Sequence, residues 1–302
     1  MKLLSIIICT YNRSRLLKKC LESLLPQLNE EIEIIVIDNN SSDDTNEIVR
    51  AYDFKHPNIR YVFEPNTGLS HARNRGIKES NADWILYIDD DAIAFPDLVE
   101  RALYLVKRGD FDCVGGMYYG YYEGIKPKWI PEGFGTKNLY NTFLSECPYT
   151  IPSGGIAIYR KSMLECLNGF SSYYGMCGKI KDLGEESELQ YRAYKLNYKM
   201  WFDPDLKIHH LVKPEYTTLS WFIKHAYLQG KTSIRIVTNE NIISAFLKFV
   251  KSLLGLLFRR LPCNFYFLTT KNNYYWQNLI CDSLQPNMLL LGKLVSTIKV
   301  KL

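Results

Sequence analysis

Three carboxylates in a row, Asp89, Asp90 and Asp91, sit in the stretch YIDDDAIAF, directly after the apolar run WILYI. Like charges this close raise one another's pKa and cost free energy unless something positive offsets them. A hard divalent cation is one such partner. Mg²⁺ and Mn²⁺ bind one or two carboxylates and keep their other positions for phosphate and water. A cation bridging a diphosphate acts as a Lewis acid by neutralising charge on a departing nucleotide. A short acidic run is more commonly a solvated turn, but its place at the end of a buried strand favours the cation.

The elements that must hold this triplet are legible as an alternation. Apolar runs at 3–9, 32–37, 59–63 and 84–88 are short, rich in Ile and Val and nearly continuous, as strands buried on both faces should be. Helix-like stretches lie between them at 14–25, 43–53, 69–79 and 96–107, with Ser14 and Ser42 or Asp43 as expected caps. Such alternation predicts an α/β fold with a parallel sheet covered by helices on both faces. Ligands bind such sheets at the carboxyl ends of the strands. The residues there are Thr10, Tyr11, Asn12 and Arg13, then Asp38, Asn39 and Asn40, then 64–68, and finally the Asp triplet. Residues 117–150 read as an irregular aromatic insertion. A strand near 155–160, a helix near 184–197 and a strand at 204–210 close a first domain, 1–215, before a mostly helical region, 216–302. No internal repeat is visible.

Composition bounds the remaining possibilities. The chain has 302 residues, 47% hydrophobic and 23% charged, ordinary for a globular protein. Its eight Cys residues show no CxxC spacing, and buried free thiols in a reducing compartment are expected. The apolar start, Leu3 to Cys9, lacks a cleavage site and reads as a first strand rather than a signal peptide. Net charge is +5, but from Tyr216 onward eleven Lys and Arg face two Asp and Glu, leaving the rest of the chain at −4. A basic tail suggests an anionic partner. Within it, 241–262 carries a narrow polar stripe, Ser244, Lys248, Lys251, Gly255 and Arg259, on an otherwise apolar helix. Two Lys interrupt a run that would need about 20 apolar residues to span a bilayer. A helix lying in an anionic membrane surface fits better. Nucleic acid would have no use for the apolar breadth. The alternative is packing against the first domain or a second copy of the chain, a homodimer.

Six stretches together make the chain resemble an inverting glycosyltransferase of the GT-A fold, family 2. They are SIIICTYNR (5–13), IDNNSSDDT (37–45), NTGLSHARNRGI (66–77), YIDDDAIAFPD (87–97), SGGIAIYRK (153–161) and GEESELQYRAYKLNY (184–198). The resemblance implies a Rossmann-like, mostly parallel sheet with a helical C-terminal extension, and a nucleotide-sugar donor with Mn²⁺ or Mg²⁺. Tyr11 would lie against the base, near Thr10 and Arg13, and Asp38 would accept a base N–H, with Asn40 also on the donor side. Arg73 would reach the base or diphosphate. Asp90 would touch the ribose, Asp89 would orient the loop, and Asp91 would bind the metal with His210, or its neighbour His209. Gly154 and Gly155, lacking a Cβ, would let the backbone approach the donor sugar; apart from the resemblance, the aromatic face of Trp129 in KPKWIPEGF is expected to stack on an acceptor sugar. The family's usual Gly-Glu-Asp base motif is Gly184-Glu185-Glu186 here, which makes Glu186, or else Glu185, the expected general base. The Tyr11/Asp38 pair suits a uracil or thymine base. A UDP-sugar donor and a glycan or lipid-linked acceptor of surface polysaccharide or glycoconjugate assembly follow, at the inner face of the cell membrane. A haloacid-dehalogenase phosphatase would want Thr or Val where Ile93 stands. A nucleotidyltransferase would want a Gly-rich loop where TYNRSR stands. A sugar-nucleotide-binding protein without transfer would need none of the base candidates.

Overall fold

Runs of Ile and Val without polar interruption suit strands covered on both faces, and such strands form one half of the sheet. The structure, a computed structural model, describes residues 2–152, 155–176, 184–236 and 241–301. Strands β1 (Leu4–Thr10), β2 (Ile32–Asp38), β3 (Ile59–Phe63) and β4 (Trp84–Ile88) are parallel, in the order β3-β2-β1-β4. Helices α1 (Ser14–Leu24), α2 (Thr45–Lys55) and α3 (Leu69–Glu79) connect them. The chain continues through β5 (Ala92–Ala94), α4 (Leu98–Arg108), β6 (Cys113–Tyr121), β7 (Ser145–Glu146), β8 (Ile156–Arg160), α5 (Lys161–Cys166), α6 (Glu185–Lys195) and β9 (Met200–Leu211). These strands extend the sheet as β8-β6-β9-β5, with β7 also on β9. Here pairing is mixed: β8 runs antiparallel to β4 and β6, and β5 antiparallel to β9, while β6 and β9 are parallel.

Side-chain alternation along β1 divides the core. Leu4, Ile6 and Ile8 pack with Leu17 and Leu21 of α1 and Leu98 of α4. Ile7 points the other way, toward Ala72 of α3 and Met163 and Leu164 of α5. Each such side chain contributes about 1.5–3 kcal/mol by leaving water. The expected caps are realised differently. Arg13 precedes α1 without capping it through its side chain, and Asp43 serves both helix starts. Its carboxylate accepts the Ser14 N–H at 3.0 Å and the Thr45 N–H at 3.2 Å. The free thiols of Cys20, Cys113, Cys147 and Cys281 are buried, but those of Cys166 and Cys263 are exposed, against expectation.

By its internal contacts the chain divides into two units. The first comprises 1–121, 135–181 and 185–211, and the second 122–134, 182–184 and 212–302. The division therefore falls a few residues before 216, and segment 122–134 goes with the helices. The second unit contains α7 (Leu219–Ile236), α8 (Ile242–Gly255), a π turn (Leu256–Arg260), α9 (Leu261–Thr270) and α10 (Trp276–Lys301). α7 and α10 pack backbone to backbone: a Cβ at Gly230 would meet the Leu289 carbonyl at 1.9 Å, and one at Gly292 the Tyr227 carbonyl at 2.1 Å. Trp129 is a correction. It is 9% exposed, clustered with Ile130, Phe134 and Phe222 inside this unit, its ring centroid 5.2 Å from that of Phe222. Apolar burial holds the indole there, and no face is open to a sugar.

Candidate active site

Because β1, β2 and β4 are parallel and in register, their last residues arrive at one edge, Thr10 directly opposite Asp38. The Asp triplet follows β4 and is turned at once into β5. β5 pairs with β9 so that Ala92 lies opposite His210 and Ile93 opposite His209. Successive strand residues face opposite ways, so only one His can meet the carboxylates. It is His210, whose Nε2 lies 3.2 Å from Asp89 Oδ2 and 3.3 Å from Asp91 Oδ1. His209 instead stacks on Phe95, with ring centroids 4.3 Å apart.

Asp89, Asp91 and His210 each offer one ligand atom, all within 4.8 Å of one another. Two carboxylate oxygens and one imidazole nitrogen form a donor set suited to a divalent cation such as Mn²⁺. Asp89, expected only to orient the loop, thus joins the metal candidates. Gly155 keeps this cradle open: a Cβ there would sit 3.3 Å from Asp89 Oδ2 and 3.7 Å from His210 Cδ2. Gly154 lies outside the described residues.

Beside the cluster is a cavity lined by Thr10, Tyr11, Arg13, Asn39 and Asp90, with Leu69 and Ala72 on an apolar wall. Tyr11 is 40% exposed there, a ring free to meet a planar ligand. Asp90 is buried and held by the Thr10 hydroxyl at 2.9 Å and the Arg13 guanidinium at 2.8 Å. Burial pushes its carboxyl up to about 6, with Arg13 opposing and the like charge of Asp91 adding. Burial also drives the Cys9 thiol, in the same wall, up to about 12, which leaves it unreactive.

Asp38 is buried and lies outside the cavity lining. Its oxygens accept the Ser41 N–H at 2.9 Å and the Tyr61 O–H at 2.8 Å, so a base could use only a second lone pair. Asn40 is exposed with φ 66°, a left-handed bend for which Asn is suited. Asn39, placed at this edge by the sequence but given no role there, donates to the Asn66 carbonyl at 2.7 Å and accepts the Gly68 N–H at 2.7 Å, pinning the start of α3. Asn12, also at positive φ, accepts the Ser42 N–H at 2.7 Å and so ties the first two loops together. Short polar residues after each strand were the only sequence signal for these roles.

Arg73 is the second correction. It does not reach toward the cavity; it is 3% exposed, with its guanidinium under the start of α6. It donates to Glu185 Oε1 at 2.9 Å and pairs with Glu186 through its other nitrogen, while the ring of Phe170 lies against it. A buried guanidinium needs carboxylate partners, and the Glu pair supplies them. Glu185 is buried, whereas the Glu186 side chain keeps 24% of its surface open. Burial pushes the Glu186 carboxyl up to about 8; Arg73 opposes this, and Glu185 and Asp89 add to it. Tyr118 borders both groups: its ring lies 5.6 Å from that of His210, and Asp89 and Glu186 both raise its pKa beyond the effect of burial. The first unit thus brings the acidic triplet, His210, the cavity and the Glu pair to one edge of the sheet.

Comparisons with known proteins place the chain's family and fold. Glycosyltransferase GlyG of Streptococcus pneumoniae serotype 4 is 32% identical over 123 residues, 40% of this chain and 41% of GlyG. GlyA of the same organism is 31% identical over 209 residues, 65% of this chain and 29% of GlyA. The matches therefore span less than half the length of these relatives. Among solved structures, the mannosyltransferase PcManGT from Pyrobaculum calidifontis, in complex with GDP-Man and Mn²⁺, aligns with a TM-score of 0.65 at 15% identity, covering 99% of this chain and 88% of that one. S. aureus TarS 1-349 in complex with UDP-GlcNAc aligns at 0.57 and 17% identity, covering 100% and 92%. At such identities the likeness is one of fold, the GT-A fold. The family model described as glycosyl transferase family 2 matches residues 5–167, more than half of the chain, and the chain belongs to that family.

Proposed function

We propose that this chain is a cation-dependent inverting glycosyltransferase. It moves a sugar from a nucleotide-diphospho-sugar, a UDP-sugar, to a hydroxyl of a glycan or lipid-linked acceptor in surface polysaccharide or glycoconjugate assembly. The observation that carries this reading is the grouping of Asp89, Asp91 and His210 within 4.8 Å beside the cavity of Thr10, Tyr11 and Asp90. Mn²⁺ or Mg²⁺ bound by those three residues would neutralise charge on the diphosphate leaving group. Tyr11 offers its ring to the base, and Asp90, fixed by Thr10 and Arg13, faces the cavity as a hydrogen-bond acceptor for the ribose. Glu186, open on one side, takes the proton of the acceptor hydroxyl when it is in its carboxylate form. That oxygen bonds to the anomeric carbon as the bond to the diphosphate breaks, its electron pair leaving with the nucleotide and the configuration inverting. Arg73 holds Glu186 in place from below, and Glu185 shares the same guanidinium.

The nucleotide named with PcManGT carries guanine and that with TarS uracil, so the fold serves both bases. A thermal-shift panel of UDP-, GDP- and dTDP-sugars with Mn²⁺ tests the assignment, because a ligand bound by the native state alone raises its melting temperature. The proposal expects the largest shift from a UDP-sugar. No shift with any nucleotide-sugar, alongside a clear one with a nucleoside triphosphate, would favour a nucleotidyltransferase instead.

A further inference from the structure

One stretch of the second unit is packed inside out. In the sheet unit, Ile and Leu are buried and polar groups face water; along Ile242–Thr270 the order is reversed. The buried positions there are Ala245, Ser252 and Asn264. Ser252 and Asn264 join a polar seam against α10: Ser252 donates to Asn287, Arg260 donates to Asn287 at 2.6 Å, and Asn264 donates to Ser283 at 2.9 Å. The large apolar side chains point away from it. Ile243 is 66% exposed and Phe258 80%, with Phe246, Leu247, Leu254 and Leu257 exposed between them. At 3.6 residues per turn these six fall within an arc of about 120° on one side of the helix. A helix of a water-soluble bundle turns that face inward, and a contiguous exposed apolar patch marks an interaction surface.

Charge selects the occupant. Lys248, Lys251, Arg259 and Arg260 lie on this helix, and no acidic residue occurs anywhere in 241–281. A second copy of the chain would bring the same cations face to face, and protein interfaces are depleted in Lys. An anionic lipid surface takes the apolar arc and the cations together. Among the described residues no helix is long and apolar enough to cross a membrane. We propose that the apolar face of α8, the π turn and α9 docks into the headgroup–acyl boundary of a membrane rich in anionic lipid, with Lys248 and Lys251 at its edge meeting the headgroups. This goes beyond the transfer reaction and does not depend on it.

The test is flotation of the full chain with vesicles of phosphatidylglycerol and phosphatidylcholine, beside vesicles of phosphatidylcholine alone. Wild type should rise with the mixed vesicles, more weakly in high salt and with the neutral ones. The triple variant Phe246→Asp, Leu257→Asp, Phe258→Asp should lose about tenfold or more of the bound fraction. Lys248→Gln with Lys251→Gln should lose only the preference for anionic lipid. Unchanged melting temperature and nucleotide-sugar binding would show that the variants fold, and that the surface is separate from the active site. Equal flotation of triple variant and wild type, or wild type left at the bottom with either vesicle, overturns the proposal. So does a wild-type dimer in size-exclusion chromatography that the triple variant dissolves, with flotation unaffected.

Discussion

One guanidinium facing two carboxylates sets the behaviour of the catalytic edge. With Arg73 buried beneath Glu185 and Glu186, removing it strands two acids in a desolvated place. Arg73→Ala should destabilise the fold by about 3–5 kcal/mol, measured by urea denaturation near neutral pH. A loss below about 1 kcal/mol would put the pair in water. Glu186→Gln should lower kcat by about two to four orders of magnitude, the usual contribution of a general base, with donor affinity unchanged. The base must be ionised to act, and burial raises Glu186 to about 8. kcat/KM should therefore climb with pH through that region in wild type and stay flat in Glu186→Gln. An inactive Glu185→Gln beside a normal Glu186→Gln would move the role one residue back. The acidic triplet was readable in the sequence because its place at the end of a buried strand, beside other polar strand ends, favours a cation over a solvated turn. Arg73 and Trp129 were not, since a cationic or aromatic side chain is equally at home in a site and in a core, and only tertiary partners decide.

His210 reaches the carboxylates through an irregular pair of strands. Between β6 and β9 the register jumps, with Gly115 opposite Phe202 but Met117 opposite Lys207, so 203–206 bulges out of the ladder. Arg101 clamps the bulge through two bonds to the buried Asp203 carboxylate, at 2.7 and 3.0 Å. Gly116 faces it so closely that a Cβ would lie 2.1 Å from the Leu206 carbonyl oxygen. Backbone must move to admit Ala there, and overpacking of this kind costs about 1–3 kcal/mol. Gly116→Ala should show that loss in a thermal melt, together with weaker Mn²⁺ binding by titration calorimetry, because β9 carries His210. Unaltered metal affinity would mean the bulge does not aim the imidazole. The parallel strands were plain from their Ile and Val runs, which no other element of that length would tolerate. The bulge was not, because Asp-Pro-Asp within a strand reads as a turn. Nor could the sequence choose between His209 and His210, which the pairing of β5 with β9 decides.

At the scale of the whole molecule, the two units differ in what they bury, and the basic, outward-apolar helices were partly legible. A polar stripe of Ser244, Lys248 and Lys251 was visible, but not that Ser252 and Asn264 would turn inward to Asn287 and Ser283. Hydrogen-bond partners from a distant helix leave no periodic trace. The first unit, by contrast, stands on one assertion: a divalent cation at Asp89, Asp91 and His210 is required to release the nucleotide. Release of free UDP from a UDP-sugar, followed for the full chain in Mn²⁺, in EDTA and after Mn²⁺ is restored, tests it most directly, with Asp91→Asn run in parallel. The account predicts turnover in Mn²⁺, none in EDTA, full recovery on refilling, and none from Asp91→Asn despite a native circular-dichroism spectrum. Undiminished release in EDTA, or by Asp91→Asn, would contradict it.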